Sequence, residues 1–282
     1  GEVAGILTDA ASAITGLPAG IPVVAGTIDA WMESASVGAV HSGDLMLMYG
    51  TTMFLVNTVA EPLTSASMWG TIGLLPGTFN LAGGMATSGA ITAWLRELVG
   101  VPAFETLLAE AEESGVGANG LLMLPYFAGE RTPLMDPNAR GLIAGLTLSH
   151  TRGDLYRAAL EATAFGVRHN IETMLEAGAT IDRIVAVGGG AQGDLWTQIV
   201  SDVTGLTQVI PTETIGASFG AAFLAASISD PALSVDDWNP VRELRTPHPE
   251  RVTEYDTLYR LYRDLYPATA DISHALAAHR RG

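Results

Sequence analysis

Residues 184–204 read IVAVGGGAQGDLWTQIVSDVT. Four apolar residues, a run of three glycines and a stretch that suits a helix predict a strand over Ile184–Val187, a tight turn over Gly188-Gly189-Gly190 and a helix over Leu195–Thr204. A strand over Gln208–Ile210 and a small-residue helix over Ala217–Ser227 complete a βαβα unit. Alternation of this kind requires a sheet covered by helices, and its right-handed crossovers place ligand loops at the carboxyl ends of the strands.

Upstream, Asp154 is expected to cap a long helix. Its buried side carries Leu155, Ala158, Ala159, Ala162, Phe165, Ile171 and Met174, and Gly178 ends it. Before it, Pro125–Leu148 is rich in Gly and Pro and reads as an ordered surface loop. The stretch Ser88–Glu113 is helical with a break at Gly100-Val101-Pro102, preceded by Gly83-Gly84 and a strand over Thr78–Ala82. The apolar blocks of Leu45–Val59 form two strands around Gly50-Thr51-Thr52. Nearer the start, Thr8–Thr15 reads as the end of a helix closed by Gly16, and Ile21–Ala25 as a short buried strand. Asp29 then opens a helix over Ala30–Val37. Downstream, Pro231–Pro249 reads as irregular. Arg251–His279 reads as a helix with Tyr255, Leu258, Tyr259, Tyr262 and Leu265 on one side, and the last forty residues are expected to be peripheral.

The composition narrows the function. With 48% apolar and 16% charged residues over 282 positions, the chain buries enough surface to be globular and soluble. A formal net charge of −16 argues against nucleic acid and anionic membranes as partners. A single phosphate-bearing ligand is different, because backbone amides at a helix start hold anions inside acidic proteins. The absence of cysteine excludes thiolate catalysis and zinc–thiolate sites and fits a reducing cytoplasm, the expected location. The six histidines show no ligand spacing, so no metal-ligating residue is assigned. No apolar run reaches the length of a spanning helix. The opening Gly1-Glu2-Val3-Ala4 has neither a signal-peptide layout nor an initiator Met, so the chain is expected to begin inside a longer protein.

Several residues invite chemistry, each with a plainer reading beside it. Glycines at 188–190 allow a ligand close to the backbone or merely pack a tight turn. Gly188, Gly190 and Gly193, with Glu213 downstream, also match the dinucleotide fingerprint of an NAD(P)-dependent oxidoreductase. Gly50-Thr51-Thr52 offers amides and hydroxyls to the outer phosphates of a nucleotide, or is a simple hairpin turn. Asp29 is a general base or a helix cap. Glu33, one turn later, reads as a solvated charge, while Glu130 and Arg131 either touch ligand or pin their loop as an ion pair.

Taken in order, four blocks resemble the FGGY family of carbohydrate kinases, its xylulokinase-like members in particular. They are Gly20–Gly26 leading to Asp29, Pro125-Tyr126-Phe127-Ala128-Gly129-Glu130-Arg131-Thr132-Pro133, Gly188–Gln198, and Asp202-Val203-Thr204-Gly205. The resemblance spans essentially the whole chain. It implies an actin-like, ribonuclease-H-like ATPase fold with a mixed sheet covered by helices, in which residues 1–40 are the tail of an amino-terminal sugar-binding domain and 41–282 a nucleotide-binding domain. Carried over by position, Asp29 matches the family's catalytic aspartate, and Gly50 and Thr51 match its phosphate loop, with Thr52 beside them. Gly189, Gly190 and Ala191 match its adenosine motif, and Gly89 a further nucleotide-contacting glycine. The implied cofactors are ATP and Mg2+, and the implied partners are a small sugar and the missing amino-terminal domain of the same protein. A homodimer is allowed, and a non-catalytic actin-like ATP-binding module stays open beside the kinase. Many members have Gly-Gly-Gly-Asp-Asn where this chain has Gly26-Thr27-Ile28-Asp29-Ala30, and Gly-Thr-Ser where it has Gly50-Thr51-Thr52. The first departure bears on the identity of the sugar, while the second keeps a hydroxyl.

Overall fold

The computed structural model describes residues 2–214 and 216–279. At the start of the chain, β1 (Val3–Ile6) pairs antiparallel with β2 (Pro22–Val24) around the short helix α1 (Asp9–Thr15), and none of the three carries a buried residue. Thr8 caps α1 by accepting from the Ala11 amide, and Gly16 ends it in the left-handed region at φ 74°. The expected strand over Ile21–Ala25 therefore exists but lies on the surface, because its partner is the isolated edge β1 rather than a central sheet.

The helix α2 (Asp29–Ser36) leads into β3 (Asp44–Tyr49), β4 (Met53–Val59), β5 (Trp69–Ile72) and β6 (Phe79–Met85). Next come α3 (Gly89–Leu98), α4 (Phe104–Ser114) and the antiparallel pair β7 (Leu122–Leu124) and β8 (Leu142–Ala144), of which β7 precedes the segment read as a loop and β8 lies inside it. The remainder is α5 (Arg152–Glu176), β9 (Arg183–Val187), α6 (Asp194–Thr204), β10 (Gln208–Pro211), α7 (Ala217–Ser229), α8 (Val235–Trp238), β11 (Val241–Arg245) and α9 (Pro249–His279).

Seven strands form the central sheet in the order β11-β10-β9-β3-β4-β6-β5. β3, β9 and β10 are parallel to one another, and every other neighbouring pair is antiparallel. This is the mixed sheet covered by helices that the sequence implied. On one face α3, α5 and α6 pack over Leu45, Leu47, Leu55, Leu81 and Ile184. On the other, Trp31 and Val37 of the α2 segment cover Met46, Val56, Ala82, Val185 and Val209. α2 also crosses α7 so closely that a side chain at Gly220 would collide with the Met32 carbonyl at 1.9 Å. Strands buried on both faces read as near-continuous apolar runs, which is why β3 and β9 were legible.

Four expectations need correction. α5 is capped by Thr151, not Asp154: the Thr151 hydroxyl accepts from the Asp154 amide and the Asp154 carboxylate accepts from the Thr151 amide, a capping box with the acid at its third helical position. The strand expected over Thr78–Ala82 runs on through Gly83 and Gly84 to Met85 as β6, where a side chain at Gly84 would meet the Phe54 ring at 2.7 Å and one at Gly83 would meet Thr132. The segment 231–249 contains α8 and the edge strand β11. Finally, α9 is not peripheral. Tyr255, Tyr259 and Tyr262 are buried around Phe165 of α5, with ring centroids 5.3 to 6.1 Å from it.

Candidate active site

Two turns leave the carboxyl ends of neighbouring parallel strands. Met48 and Val187 are register partners, so the turn after Tyr49 and the turn after Val187 emerge side by side. The contact is direct: a side chain at Gly188 would meet the Tyr49 carbonyl oxygen at 2.6 Å, and one at Gly190 would meet Tyr49 Cβ and the Trp196 ring at 2.9 Å. Gly188 also sits at φ 92°. Both glycines are thus demanded by packing, as the plainer reading held. Gly189 differs, since a side chain there would meet nothing within 4 Å and its φ is not positive. Neither packing nor backbone conformation accounts for that glycine, which leaves room for a ligand against the chain.

Between these residues and α6 the chain makes a short 3-10 turn over Gly189–Gln192, with Ala191 buried and its amide donating to the Gly188 carbonyl at 3.1 Å. A third loop joins them. The Gly188 amide donates to the Thr214 carbonyl, and the Gln192 side chain donates to the Thr214 hydroxyl, so the segment after β10 closes the same corner. Thr214 was not singled out from the sequence, although the rule that ligands gather at parallel strand ends points to it.

On the other side of β3, the Gly50-Thr51-Thr52 turn is docked onto the start of α3. The Gly89 amide donates to the Gly50 carbonyl at 3.0 Å, and the Ser88 and Ala90 amides donate to the Thr51 carbonyl at 3.0 and 3.1 Å. A side chain at Gly89 would collide with the Gly50 carbonyl at 2.7 Å, so this glycine permits close approach of turn and helix. The Ser88 hydroxyl at the same junction is fully buried and has no hydrogen-bond partner among the described residues. An orphaned hydroxyl costs stability and is the kind of exception that functional sites carry.

α2 brings Asp29 to this edge from the opposite face. Trp31 stacks on Phe54, two residues beyond the turn, at 6.4 Å between centroids. The far end of the helix lies at the strand starts, where Arg183 donates to the Gly38 carbonyl and pairs with Asp44. α2 therefore runs antiparallel to β3, with Asp29 at the edge that bears the turns. Asp29 is exposed, and among the described residues its carboxylate accepts only from the neighbouring Ala30 amide at 2.8 Å, while Ile28 holds the cap position. The cap reading fails, because a capping side chain bonds the second or third helical amide. Glu33 is not the solvated charge expected. One of its oxygens is buried without a partner among the described residues, and burial, with the Asp29 charge beside it, raises its pKa.

Glu130 and Arg131 lie at the end of β6, next to the α3 start. No ion pair joins their side chains among the described residues. Instead Glu130, 5% exposed, accepts from the Ala86 and Arg131 amides at 2.7 Å each, while Arg131 is exposed. Burial pushes the Glu130 carboxyl from 4.5 to about 7, against the opposing pull of those amides and of the Arg131 charge. Because the folded-state value is the higher, this group contributes stability below pH 4.5 that is lost as pH rises to about 7. His169 works in the opposite sense: burial lowers its value from 6.5 to about 4, so its contribution is present above 6.5 and lost toward 4. Glu130→Gln should remove only the first effect. Denaturant unfolding at pH 5 and pH 8 is expected to show the variant gaining on the wild type by roughly 3 kcal/mol across that range. Parallel stability curves for the two proteins would contradict it.

The dinucleotide reading does not survive the topology. Its fingerprint opens a parallel doubly wound sheet, whereas here β3 turns back through antiparallel β4, β6 and β5, and Gly193 caps α6 behind the intervening 3-10 turn. Glu213 has its backbone held on both sides by the Asn239 side chain.

Comparison with known proteins adds an independent line. The model of the FGGY family of carbohydrate kinases, C-terminal domain, matches residues 45–228. A ribulokinase of Mycolicibacterium smegmatis is 35% identical over 285 residues, covering 94% of this chain and 51% of that protein. A xylulose kinase of Bacillus subtilis is 32% identical, covering 99% and 58%. The crystal structure of xylulose kinase from Rhodospirillum rubrum superposes with a TM-score of 0.88 at 34% identity, covering 97% of this chain and 57% of that one. The chain thus spans a little over half the length of the relatives it matches.

Proposed function

The chain belongs to the FGGY family of carbohydrate kinases, with their actin-like ATPase fold, and from that premise we propose that it supplies the nucleotide-binding part of an enzyme that phosphorylates a sugar hydroxyl with ATP. The relatives include a ribulokinase and a xylulose kinase, so the acceptor class is a ketose or polyol, with a xylulose-like pentulose first. Residues 1–40 then form the tail of a sugar-binding domain, and the remainder of that domain is the partner this chain requires. The cysteine-free sequence suits a reducing cytoplasm.

One observation carries the reading: glycine turns after adjacent parallel strands open onto one edge, and a carboxylate with no capping duty stands at the same edge. In this scheme the Gly189 backbone lies against the adenosine, and the Gly50-Thr51-Thr52 turn faces the phosphates. Asp29 accepts the proton of the attacking hydroxyl as the new phosphorus–oxygen bond forms and the leaving bond breaks. Most of the rate comes from alignment of donor and acceptor. Among the described residues no group of three or more His, Asp or Glu could hold a metal. Mg2+ carried in with the nucleotide would neutralise charge on the transferring group.

The test is a calorimetric titration of this chain with MgATP. Gly189→Val should leave thermal stability nearly unchanged, because the added side chain meets open space. It should weaken MgATP by at least about tenfold, since the same space is needed by the nucleotide. A wild type with no measurable affinity for MgATP, or a variant with unchanged affinity, sinks the proposal. The isolated chain is expected to bind nucleotide weakly and to show no sugar-dependent turnover.

A further inference from the structure

The edge that carries the candidate site continues one strand beyond the phosphate-facing turn. Its order is β9, β3, β4, β6, which at the ~4.8 Å spacing of neighbouring strands covers about 14 Å. Gly189 stands at the β9 end, Gly50-Thr51-Thr52 joins β3 to β4, and Glu130 and Arg131 stand at the β6 end. An extended nucleotide lying with its adenosine on Gly189 and its phosphates on the turn points its terminal group at β6.

What stands there is a cation on a rigid mount. The backbone at 130–132 is stitched to β6 on both sides of Arg131. The Ala86 amide donates to Glu130 Oε1 at 2.7 Å, the Gly84 amide to the Thr132 hydroxyl at 2.6 Å, and the Thr132 amide to the Gly84 carbonyl at 3.2 Å. The Arg131 amide itself donates to Glu130 Oε1, so one buried oxygen fixes both Arg131 and the residue leading into α3. The guanidinium is not consumed by this mount. It is exposed and, among the described residues, hydrogen-bonds only the Met85 carbonyl, at 3.5 Å, so its remaining donors are left for solvent or a ligand. In a chain of net charge −16, a cation held at a phosphate-facing edge needs a reason.

We propose that Arg131 binds the terminal phosphoryl oxygens of the nucleotide, and that Glu130 is its positioning residue. The inference rests on the reading of Gly50-Thr51-Thr52 as the phosphate-facing turn. A guanidinium suits the task because its planar fork matches two phosphate oxygens at once. Removing it withdraws stabilisation from the outer phosphates alone, with no effect on the adenosine.

The experiment titrates this chain with MgATP, MgADP and adenosine. Arg131→Met is expected to weaken MgATP on the order of ten- to a hundredfold while leaving adenosine unchanged, with MgADP between them. Arg131→Lys recovers part of the loss, because it keeps the charge without the fork. Glu130→Ala shifts the same ratio in the same direction by a smaller factor, and Gly189→Val weakens all three ligands together. If Arg131→Met leaves the ratio of MgATP to adenosine affinity at its wild-type value, Arg131 is no phosphate ligand, while the phosphate turn stands. If the wild type itself fails to prefer MgATP over adenosine, the turn is misassigned and both readings fall. Thermal melting should be unchanged in Arg131→Met, since the guanidinium contributes only one weak contact to the fold.

Discussion

Replacing Asp29 by asparagine is expected to lower kcat for phosphoryl transfer by about 10²–10⁴-fold while MgATP affinity stays within about twofold of wild type. The magnitude follows from what the change removes. Asparagine keeps the shape and can still accept from the Ala30 amide, but it cannot take a proton from a sugar hydroxyl. The split between kcat and nucleotide affinity follows from position. Asp29 approaches the edge on α2, from the face opposite α3 and α6, whose starts carry the residues proposed to face the nucleotide. The assay is sugar-dependent release of ADP by the chain joined to its sugar-binding domain, with xylulose, ribulose and glycerol as acceptors. Wild-type turnover in Asp29→Asn, with MgATP binding intact, leaves a nucleotide-binding module in which this carboxylate does no chemistry.

Much of that arrangement is legible in the residues, and the reasons are specific. β3, β9 and their turns are apolar runs closed by glycine, a pattern with few other meanings once a helix follows. The edge strands were harder. β1, β5 and β11 are short, largely exposed and, in β11, charged: three of the five residues of Val241–Arg245 are Arg or Glu, as suits an edge, and in sequence such a stretch looks like a loop. The periodicity of α9 correctly marked one tyrosine-bearing side. It could not reveal that Phe165, about ninety residues upstream, waits to receive that side. Roles within the glycine motif were equally hidden. Gly188, Gly189 and Gly190 are identical letters, yet two are required by Tyr49 and Trp196 while the third has open space. Glu130 and Arg131 left two readings open, ligand contact or an ion pair pinning their loop, and the fold makes no such pair among the described residues: the Glu130 carboxylate holds two amides and the guanidinium is exposed.

The second large effect concerns the helix that sequence reasoning left outside. Arg157 and Glu161 of α5 are each only 3% exposed at the side chain and pair at 2.7 Å. Arg157 also donates to the Tyr255 hydroxyl of α9 at 2.6 Å. That hydroxyl donates to Glu161 Oε1 at 2.8 Å, and the Gly117 amide donates to the same oxygen at 3.0 Å. One carboxylate oxygen thus joins α5, α9 and the segment after α4. A buried pair adds little over an apolar equivalent, but removing one partner leaves an unpaired charge in a dry interior. Glu161→Ala is therefore expected to cost about 3–5 kcal/mol in denaturant unfolding, enough to threaten a domain of ordinary stability. Replacing Arg157 and Glu161 together by leucine should recover the part of that loss that comes from the unpaired charge, while the Tyr255 hydroxyl and the Gly117 amide stay without their acceptor. A loss below about 1 kcal/mol in the single variant shows that water reaches the site and that α9 is only loosely docked. The consequence reaches the ligand edge, because α5 packs against α6, whose Trp196 rests on Gly190. Loosening the Arg157 network should therefore weaken MgATP at temperatures well below the melting point of the whole chain, while the double leucine variant binds as the wild type does.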